Sequence, residues 1–161
     1  MTALKPAAEH DLRELLERIA GTGPLDIQSA RMMIEPYAAA TAASNATAAD
    51  LEAIRDTHEA ASAAAEMERF EKLDGEFHKR IFLAARNDLL ASVHEILQVI
   101  RAQTAWTEIK RRSFREERRL SYCADHARIV AALESHDPLA AADAMRTHLA
   151  SVDRNLFGPK A

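Results

Sequence analysis

The sequence predicts an all-α protein, an antiparallel bundle of six to seven helices. Hydrophobic residues make up 48% of the 161 positions, whereas aromatic residues make up only 5%. With four glycines and five prolines, the chain has few helix breakers, and its abundance of Ala and Leu favours helices over strands. Apolar residues also recur at helical spacing along most of the chain. These three observations argue against a fold built on β-sheet.

Length and charge limit the classes of function. A chain of this length is the size of one ordinary domain. Its formal net charge of −4 disfavours direct binding to nucleic-acid phosphates. The single cysteine, Cys123, cannot form an internal disulfide, and we find neither a signal peptide nor a membrane-spanning apolar run. We therefore expect a cytoplasmic protein with no membrane partner.

The first helix is predicted over about residues 9–20, with Gly21 ending it. Residues 1–8 are interpreted as a linker. The predicted organisation is therefore a linker and first helix over residues 1–23, followed by one helical bundle over residues 24–161.

The second and third helices have recognisable start signals. The second should begin near Asp26, a suitable N-cap residue, and end near Asn45. Pro36 is expected to kink or divide it, because proline has no backbone N–H. Thr47, with Asp50 three residues later, predicts a capping box at the start of the third helix.

The fourth and fifth helices are predicted to be central to the bundle. The fourth runs from about Met67 to Ala85, and Asn87 turns the chain into the fifth. The fifth carries apolar residues at helical spacing: Leu90, Val93, Leu97, Ile100 and, at its far end, Trp106.

Two further helices complete the predicted bundle. The sixth carries an apolar stripe between Leu120 and Leu133, and Asp137 followed by Pro138 is a start signal for the seventh. Connections are short throughout, so consecutive helices are expected to be antiparallel neighbours.

Two polar residues interrupt the apolar face of the fourth helix. Asp74 and His78 are four residues apart and interleave with Phe70, Phe77 and Ile81. Side chains at this spacing meet on one helix face. A carboxylate buried among aromatic rings is costly unless a cation or a metal compensates it. We therefore expect a positive charge beside Asp74.

His126 and His148 also face inward on their predicted helices. Together with Asp74 and His78 they would supply one oxygen and three nitrogens from three helices. This ligand set suits a divalent transition metal, with Zn²⁺ favoured over Ni²⁺, Mn²⁺ or Fe²⁺. The alternative stays open, because a single histidine on an apolar face is more often a hydrogen-bonded core residue than a ligand. Asp74 and His78 could likewise form a plain pair on the helix surface.

At these residues the chain resembles the FCD domain, the C-terminal ligand-binding domain of FadR-type GntR transcription regulators. The resemblance covers residues 26–149 and is carried by three segments in the family's order: ARMMIEPYAAATAA, LDGEFHKRIFLAARNDLL and DHARIVAALESHDPLAAADAMRTHL. It implies the metal-binding type of this domain, with Asp74, His78, His126 and His148 as the metal ligands.

The resemblance also implies a function. A small organic acid would bind beside the metal through its carboxylate and modulate DNA binding by an attached domain. Arg31 matches an arginine that often lines the ligand cavity, although a surface pair with Glu35 is an equally good interpretation. Asn87 is the second candidate ligand-binding residue, with helix capping as its alternative role. The protein is then not an enzyme, and a homodimer is expected.

Several alternatives accompany this interpretation. The family's winged helix-turn-helix does not precede the first helix here, so DNA is expected to bind only through a domain outside this chain. The metal could instead be purely structural, or the protein could be a small helical metalloenzyme. The basic stretch over residues 110–119 is interpreted as a solvated helix face or a contact to a partner subunit. The remaining histidines are expected to be peripheral: His10, His58, His94 and His136.

Overall fold

The computed structural model describes residues 6–102 and 104–158, and this part of the chain contains eight α-helices and no strand. The helices are α1 (Pro6–Ala20), α2 (Pro24–Asn45), α3 (Ala48–Ala63), α4 (Met67–Ala84), α5 (Asp88–Arg101), α6 (Thr104–Ser113), α7 (Glu116–Glu134) and α8 (Pro138–Phe157). The predicted all-α class is confirmed.

Three of the predicted start signals act as caps, but Asp26 does not: it lies inside the first turn of α2, whose N-cap residue is Gly23. Thr47 and Asp50 form a reciprocal capping box: the Thr47 hydroxyl accepts from the Asp50 N–H, and the Asp50 carboxylate accepts from the Thr47 N–H at 2.9 Å. Asp137 accepts hydrogen bonds from the first backbone N–H groups of α8. Asn87 accepts from the Leu90 N–H at 3.1 Å and so caps α5.

Three boundaries differ from the prediction. The predicted linker over residues 1–8 is helical at residues 6–8, and residues 1–5 lie outside the described part of the chain. Pro36 does not divide α2, which continues through it. The fifth helix ends at Arg101, where the Ala102 N–H bonds back to carbonyls of the last turn, and Trp106 belongs to the separate helix α6. No glycine or proline marks this break, which is why the sequence predicts one helix fewer.

The core lies where α2, α4, α7 and α8 meet, and α3 covers one side of it. Helix α2 packs extensively against α8, α7 packs against α8, and α3 packs against α4. Small alanines of α2 allow this close packing, and larger side chains from the other helices fill the space. The largest of these core residues are Ile54, Phe77, Ile81, Ile129, Leu133, Met145 and Leu149.

A close approach of α4 and α5 positions the polar interior. A Cβ atom at Gly75 would lie 3.0 Å from Gln98 Nε2, and this Nε2 donates a 2.9 Å hydrogen bond to the Gly75 carbonyl. Gly75 follows Asp74 directly, and Arg101 lies one helical turn beyond Gln98. The contact therefore brings Arg101 of α5 next to Asp74 of α4.

No helix in the described ranges is both long enough and apolar enough to cross a membrane.

Candidate metal centre

The structure brings the four predicted metal ligands together. Asp74 and His78 come from α4, His126 from α7 and His148 from α8, and all four are buried. One ligand atom from each residue lies within 4.8 Å of all the others. His126 Nε2 is 3.3 Å from His148 Nε2 and 3.5 Å from Asp74 Oδ1, and His78 Nε2 is 3.9 Å from the same oxygen. The three imidazoles and the carboxylate thus converge on one point.

Aromatic packing holds the imidazoles in this arrangement. The Phe77 ring stacks on His126 with centroids 4.3 Å apart and an interplanar angle of 23°. The same ring meets His78 edge-on at 5.6 Å, and Tyr122 meets His148 edge-on at 5.7 Å. Phe77 is fully buried in the main core, so the rings are fixed by the packing of the whole bundle.

A buried ion pair between Arg31 and Glu35 contacts His78 through its Nδ1, the ring nitrogen that faces away from the other candidate ligands. His78 Nδ1 lies 2.6 Å from Glu35 Oε2, and Glu35 Oε1 accepts from Arg31 Nε at 2.5 Å. Both members of the Arg31–Glu35 pair are only 1% exposed, so this is not the surface pair that the sequence suggested as one alternative. A carboxylate on the far nitrogen of an imidazole fixes its tautomer and leaves Nε2 free to bind a metal. His148 Nδ1 has a similar carboxylate, Asp125, at the longer distance of 3.9 Å.

The protonation states favour metal binding. Burial would raise the pKa of Asp74, but the nearby cations, Lys110 first and also Arg101, outweigh burial and keep that pKa well below its ordinary value. Burial lowers the pKa of His126 well below its usual range, and it also lowers the pKa of His148. An ionised carboxylate beside neutral imidazoles is the form in which these residues bind metals.

Unpaired polar atoms also indicate that the site accepts a cation. Among the described residues, His78 Nε2 is buried without a hydrogen-bond partner, although it faces the point where the other ligand atoms converge. Leaving such an atom unpaired costs about 1–3 kcal/mol. A metal ion at the convergence point would satisfy this nitrogen, so the four residues fit a divalent transition metal in number, type and spacing.

Arg101 is a part of the site that sequence reasoning missed. Its side chain is 7% exposed, and its Nη2 donates to Asp74 Oδ2 at 3.3 Å. The expected positive charge beside Asp74 is thus partly supplied by the protein. Arg101 also lines a cavity of about 290 Å³ between α4, α5 and α6, together with Glu71, Gln98, Trp106 and Lys110. A lone arginine near a helix end gives no sequence signal, because arginine there usually faces solvent.

The prediction that His94 is peripheral is wrong. His94 is 1% exposed, stacks on Phe82 with ring centroids 4.5 Å apart, and has its Nε2 3.1 Å from Gln98 Nε2. Burial lowers its pKa from 6.5 to about 3. The apolar residues around His94 in the sequence already indicated that it would be buried. His10 and His136 are exposed as predicted, whereas His58 is half-buried.

The two candidate ligand-binding residues have different surroundings. Arg31 is buried next to the centre, but its guanidinium already bonds Glu35 and, at 3.4 Å, Gln28. Asn87 is exposed, and its side-chain oxygen caps α5.

Comparison with known proteins identifies the fold family. The FCD domain family model matches residues 26–151. The chain belongs to the FCD domain family. The match includes all four residues of the candidate centre and ends within α8.

Curated relatives of this FCD domain are transcription regulators. The Exu regulon transcriptional regulators of Escherichia coli K12 and Shigella flexneri are 30% identical to it over 138 residues, which is 86% of this chain and 53% of theirs. The chain therefore spans about half the length of these relatives. Their names describe transcriptional regulators, which agrees with the prediction of a regulatory domain.

Two solved structures share the fold. The E. coli protein McbR/YncC superposes with a TM-score of 0.72 at 20% identity, covering 82% of this chain and 63% of that one. A Streptococcus agalactiae GntR protein superposes with a TM-score of 0.65 at 23% identity, covering 86% of this chain and 60% of that one.

Proposed function

We propose that this FCD domain senses a small carboxylate through a divalent metal held by Asp74, His78, His126 and His148. The observation that carries the proposal is the convergence of their four buried ligand atoms within 4.8 Å. The effector carboxylate would take a coordination position that the four protein ligands leave open. Its binding would be communicated to a DNA-binding domain elsewhere in the regulator.

The chemistry of the site selects a class of metal. Three imidazoles and one carboxylate suit Zn²⁺ first, and Ni²⁺, Mn²⁺ or Fe²⁺ also accept this set. Hard cations such as Mg²⁺ and Ca²⁺ prefer oxygen ligands, which are in the minority here.

The position of the site suits a sensor. Its ligands lie on α4, α7 and α8, and Glu35 ties it to α2, so the main core helices all meet there. A ligand that binds two packing arrangements of these helices with different affinity shifts the balance between them. We assign Arg31 to holding Glu35 behind His78, because its guanidinium is already occupied. We assign Asn87 to capping.

The proposed partners follow from the family. DNA would be bound by a winged helix-turn-helix domain in the full regulator, and the domain would work as a homodimer. Sedimentation of the purified domain would test the dimer directly.

Melting curves distinguish an effector-sensing metal site from a purely structural one. Metal-stripped protein should melt at a lower temperature than Zn²⁺-loaded protein, because a ligand that binds the folded state stabilises it. For a sensor, a panel of small carboxylates should raise the melting temperature of the loaded protein further, with at least one acid standing out. If every acid leaves the loaded protein unchanged, the metal is structural.

The double variant His126→Ala/His148→Ala is the matched control. It should bind no Zn²⁺ and should show no carboxylate response. Full metal occupancy in this variant would overturn the ligand assignment.

A further inference from the structure

The candidate metal centre is closed to solvent, so a cation needs a route into it. Asp74 is 3% exposed, and His78, His126 and His148 are at most 1% exposed. A cation reaches such a buried site only when the packing around it opens locally. Side chains along the route then set the rate at which the centre is loaded.

His58 of α3 connects the surface to one of the candidate ligands. It is half-buried, and its ring centroid lies 6.3 Å from that of His126 and 6.3 Å from that of Phe77. Of the described histidines outside the centre, it is the one in ring contact with a candidate ligand. Its Nδ1 is buried and has no hydrogen-bond partner within the described ranges, which is unfavourable for a polar atom. A metal-binding group with an unused nitrogen therefore stands next to the centre.

The approaches through α5 and α2 carry buried cations. On the side of α5, Arg101 is 7% exposed and its Nη2 bonds Asp74 Oδ2 at 3.3 Å. On the side of α2, Arg31 is 1% exposed. A buried guanidinium repels an incoming divalent cation, because little solvent screens the two charges. Entry is therefore disfavoured from these two sides.

The surface of α3 has the opposite charge. Asp56 and Glu59 are exposed on this helix, and Glu59 directly follows His58. The single Lys or Arg residue of α3, Arg55, is paired with Glu134 of α7 at 3.5 Å. Acidic surface groups raise the local concentration of cations and so the rate of their capture. Charge therefore favours entry past α3.

We propose that His58 is an entry ligand, which takes a divalent metal ion from solvent and passes it to the buried ligands through His126. His58 is not one of the four groups that converge at the centre, so it assists the transfer and leaves the final ligand set unchanged. A group that lowers only the barrier changes the loading and release rates by the same factor and does not change the affinity. This inference rests on the proposed metal centre and assigns its route of access.

Three measurements on His58→Gln test the proposal. Stopped-flow mixing of metal-stripped protein with Zn²⁺ and a chromophoric zinc indicator gives the loading rate, and transfer of bound Zn²⁺ to excess chelator gives the release rate. Competition at equilibrium gives the dissociation constant. Glutamine is similar in size but lacks the imidazole. We expect both rates to fall by about tenfold, because transfer from His58 is an intramolecular step of high effective concentration, and the dissociation constant to stay the same.

His10→Gln is the matched control. His10 is a histidine exposed on α1, paired with Glu14 at 3.2 Å, and this variant should load, release and bind Zn²⁺ as the wild type does. Wild-type rates in His58→Gln would overturn the proposal. A weaker affinity with an unchanged loading rate would overturn it too, because His58 would then support the bound state and not the entry.

A pair of exposed glutamates tests the route even if His58→Gln does not fold. Glu59 lies beside His58, whereas Glu68 lines the cavity between α4, α5 and α6. Glu59→Gln should slow loading by about twofold at low ionic strength, and salt should remove the difference. Glu68→Gln should load at the wild-type rate. The reverse pattern would place the entry at the cavity and contradict the role of His58.

The outcomes distinguish this inference from the proposed function. A wild type that binds no Zn²⁺ contradicts the metal centre itself. A wild type that binds Zn²⁺, with rates that neither His58→Gln nor Glu59→Gln changes, keeps the metal centre and refutes the entry ligand.

Discussion

Replacement of Glu35 by glutamine should both destabilise the metal-free domain and weaken its metal centre. Glu35 is 1% exposed and stands between two buried groups, Arg31 Nε at 2.5 Å and His78 Nδ1 at 2.6 Å. Attraction to Arg31 and His78 overcomes burial and keeps the pKa of Glu35 well below its ordinary value, so the group is a carboxylate at neutral pH. Glutamine preserves its size and removes its charge.

The magnitude follows from the burial of Arg31. Removing one partner of a buried ion pair typically costs about 3–5 kcal/mol, because the other charge is left uncompensated. Glutamine still offers one acceptor oxygen, so we expect the lower end, about 3 kcal/mol. For a domain of this size each kcal/mol lowers the melting temperature by about 2–4 °C, which gives a decrease of about 6–12 °C. Loss of the support behind His78 should also weaken Zn²⁺ binding by at least about tenfold.

Thermal unfolding of the stripped protein and Zn²⁺ titration measure the two effects. Glu76→Gln is the matched control, because Glu76 forms the same type of i,i+4 pair with Arg80 at 3.1 Å, with both side chains about 40% exposed. Exposed pairs contribute only about 0–1 kcal/mol. The reasoning would be refuted if Glu35→Gln had the same melting temperature as Glu76→Gln and bound Zn²⁺ with wild-type affinity.

Two further predictions concern His94 and Asn87. As pH falls from 7 to 5, the metal-free protein should lose stability, because His94, with a pKa lowered from 6.5 to about 3, is protonated in the unfolded chain before the folded one. This group alone should account for about 2 kcal/mol of the loss in the free energy of unfolding, and the loss should begin near pH 6.5. Unfolding by urea at each pH measures it, and the loss should be smaller in His94→Gln. Asn87→Ala should lower the free energy of unfolding by about 1 kcal/mol in the same urea assay, because α5 loses its cap, and Zn²⁺ affinity should not change. A weakened carboxylate response in this variant would instead show that Asn87 binds the effector.

The four candidate ligands could be predicted because they violate the helical pattern and because they match the resemblance to the FCD domain. Asp74 and His78 interrupt an otherwise apolar face, and helical spacing alone places them side by side. His126 and His148 stand out in the same way on α7 and α8. Convergence of the three helices was a hypothesis until the structure placed the four ligand atoms together.

The surrounding charges were not predictable by the same means. Arg31 and Glu35 are four residues apart, which fits a surface pair as well as a buried one, and only the packing of α2 against α4 and α8 decides. Arg101 depends on the contact between Gly75 and Gln98, which joins two helices whose relative position no local pattern encodes. The break between α5 and α6 contains no glycine or proline, so it too has no signal in the sequence.

The most direct test of the central claim is the metal content of the protein, measured by elemental mass spectrometry after purification without a chelator or an affinity tag. Asp74→Ala and His148→Ala variants are measured beside the wild type. The account predicts near-stoichiometric transition metal in the wild type and its loss in both variants. A folded wild type that holds no metal and takes up none from added Zn²⁺ would contradict it.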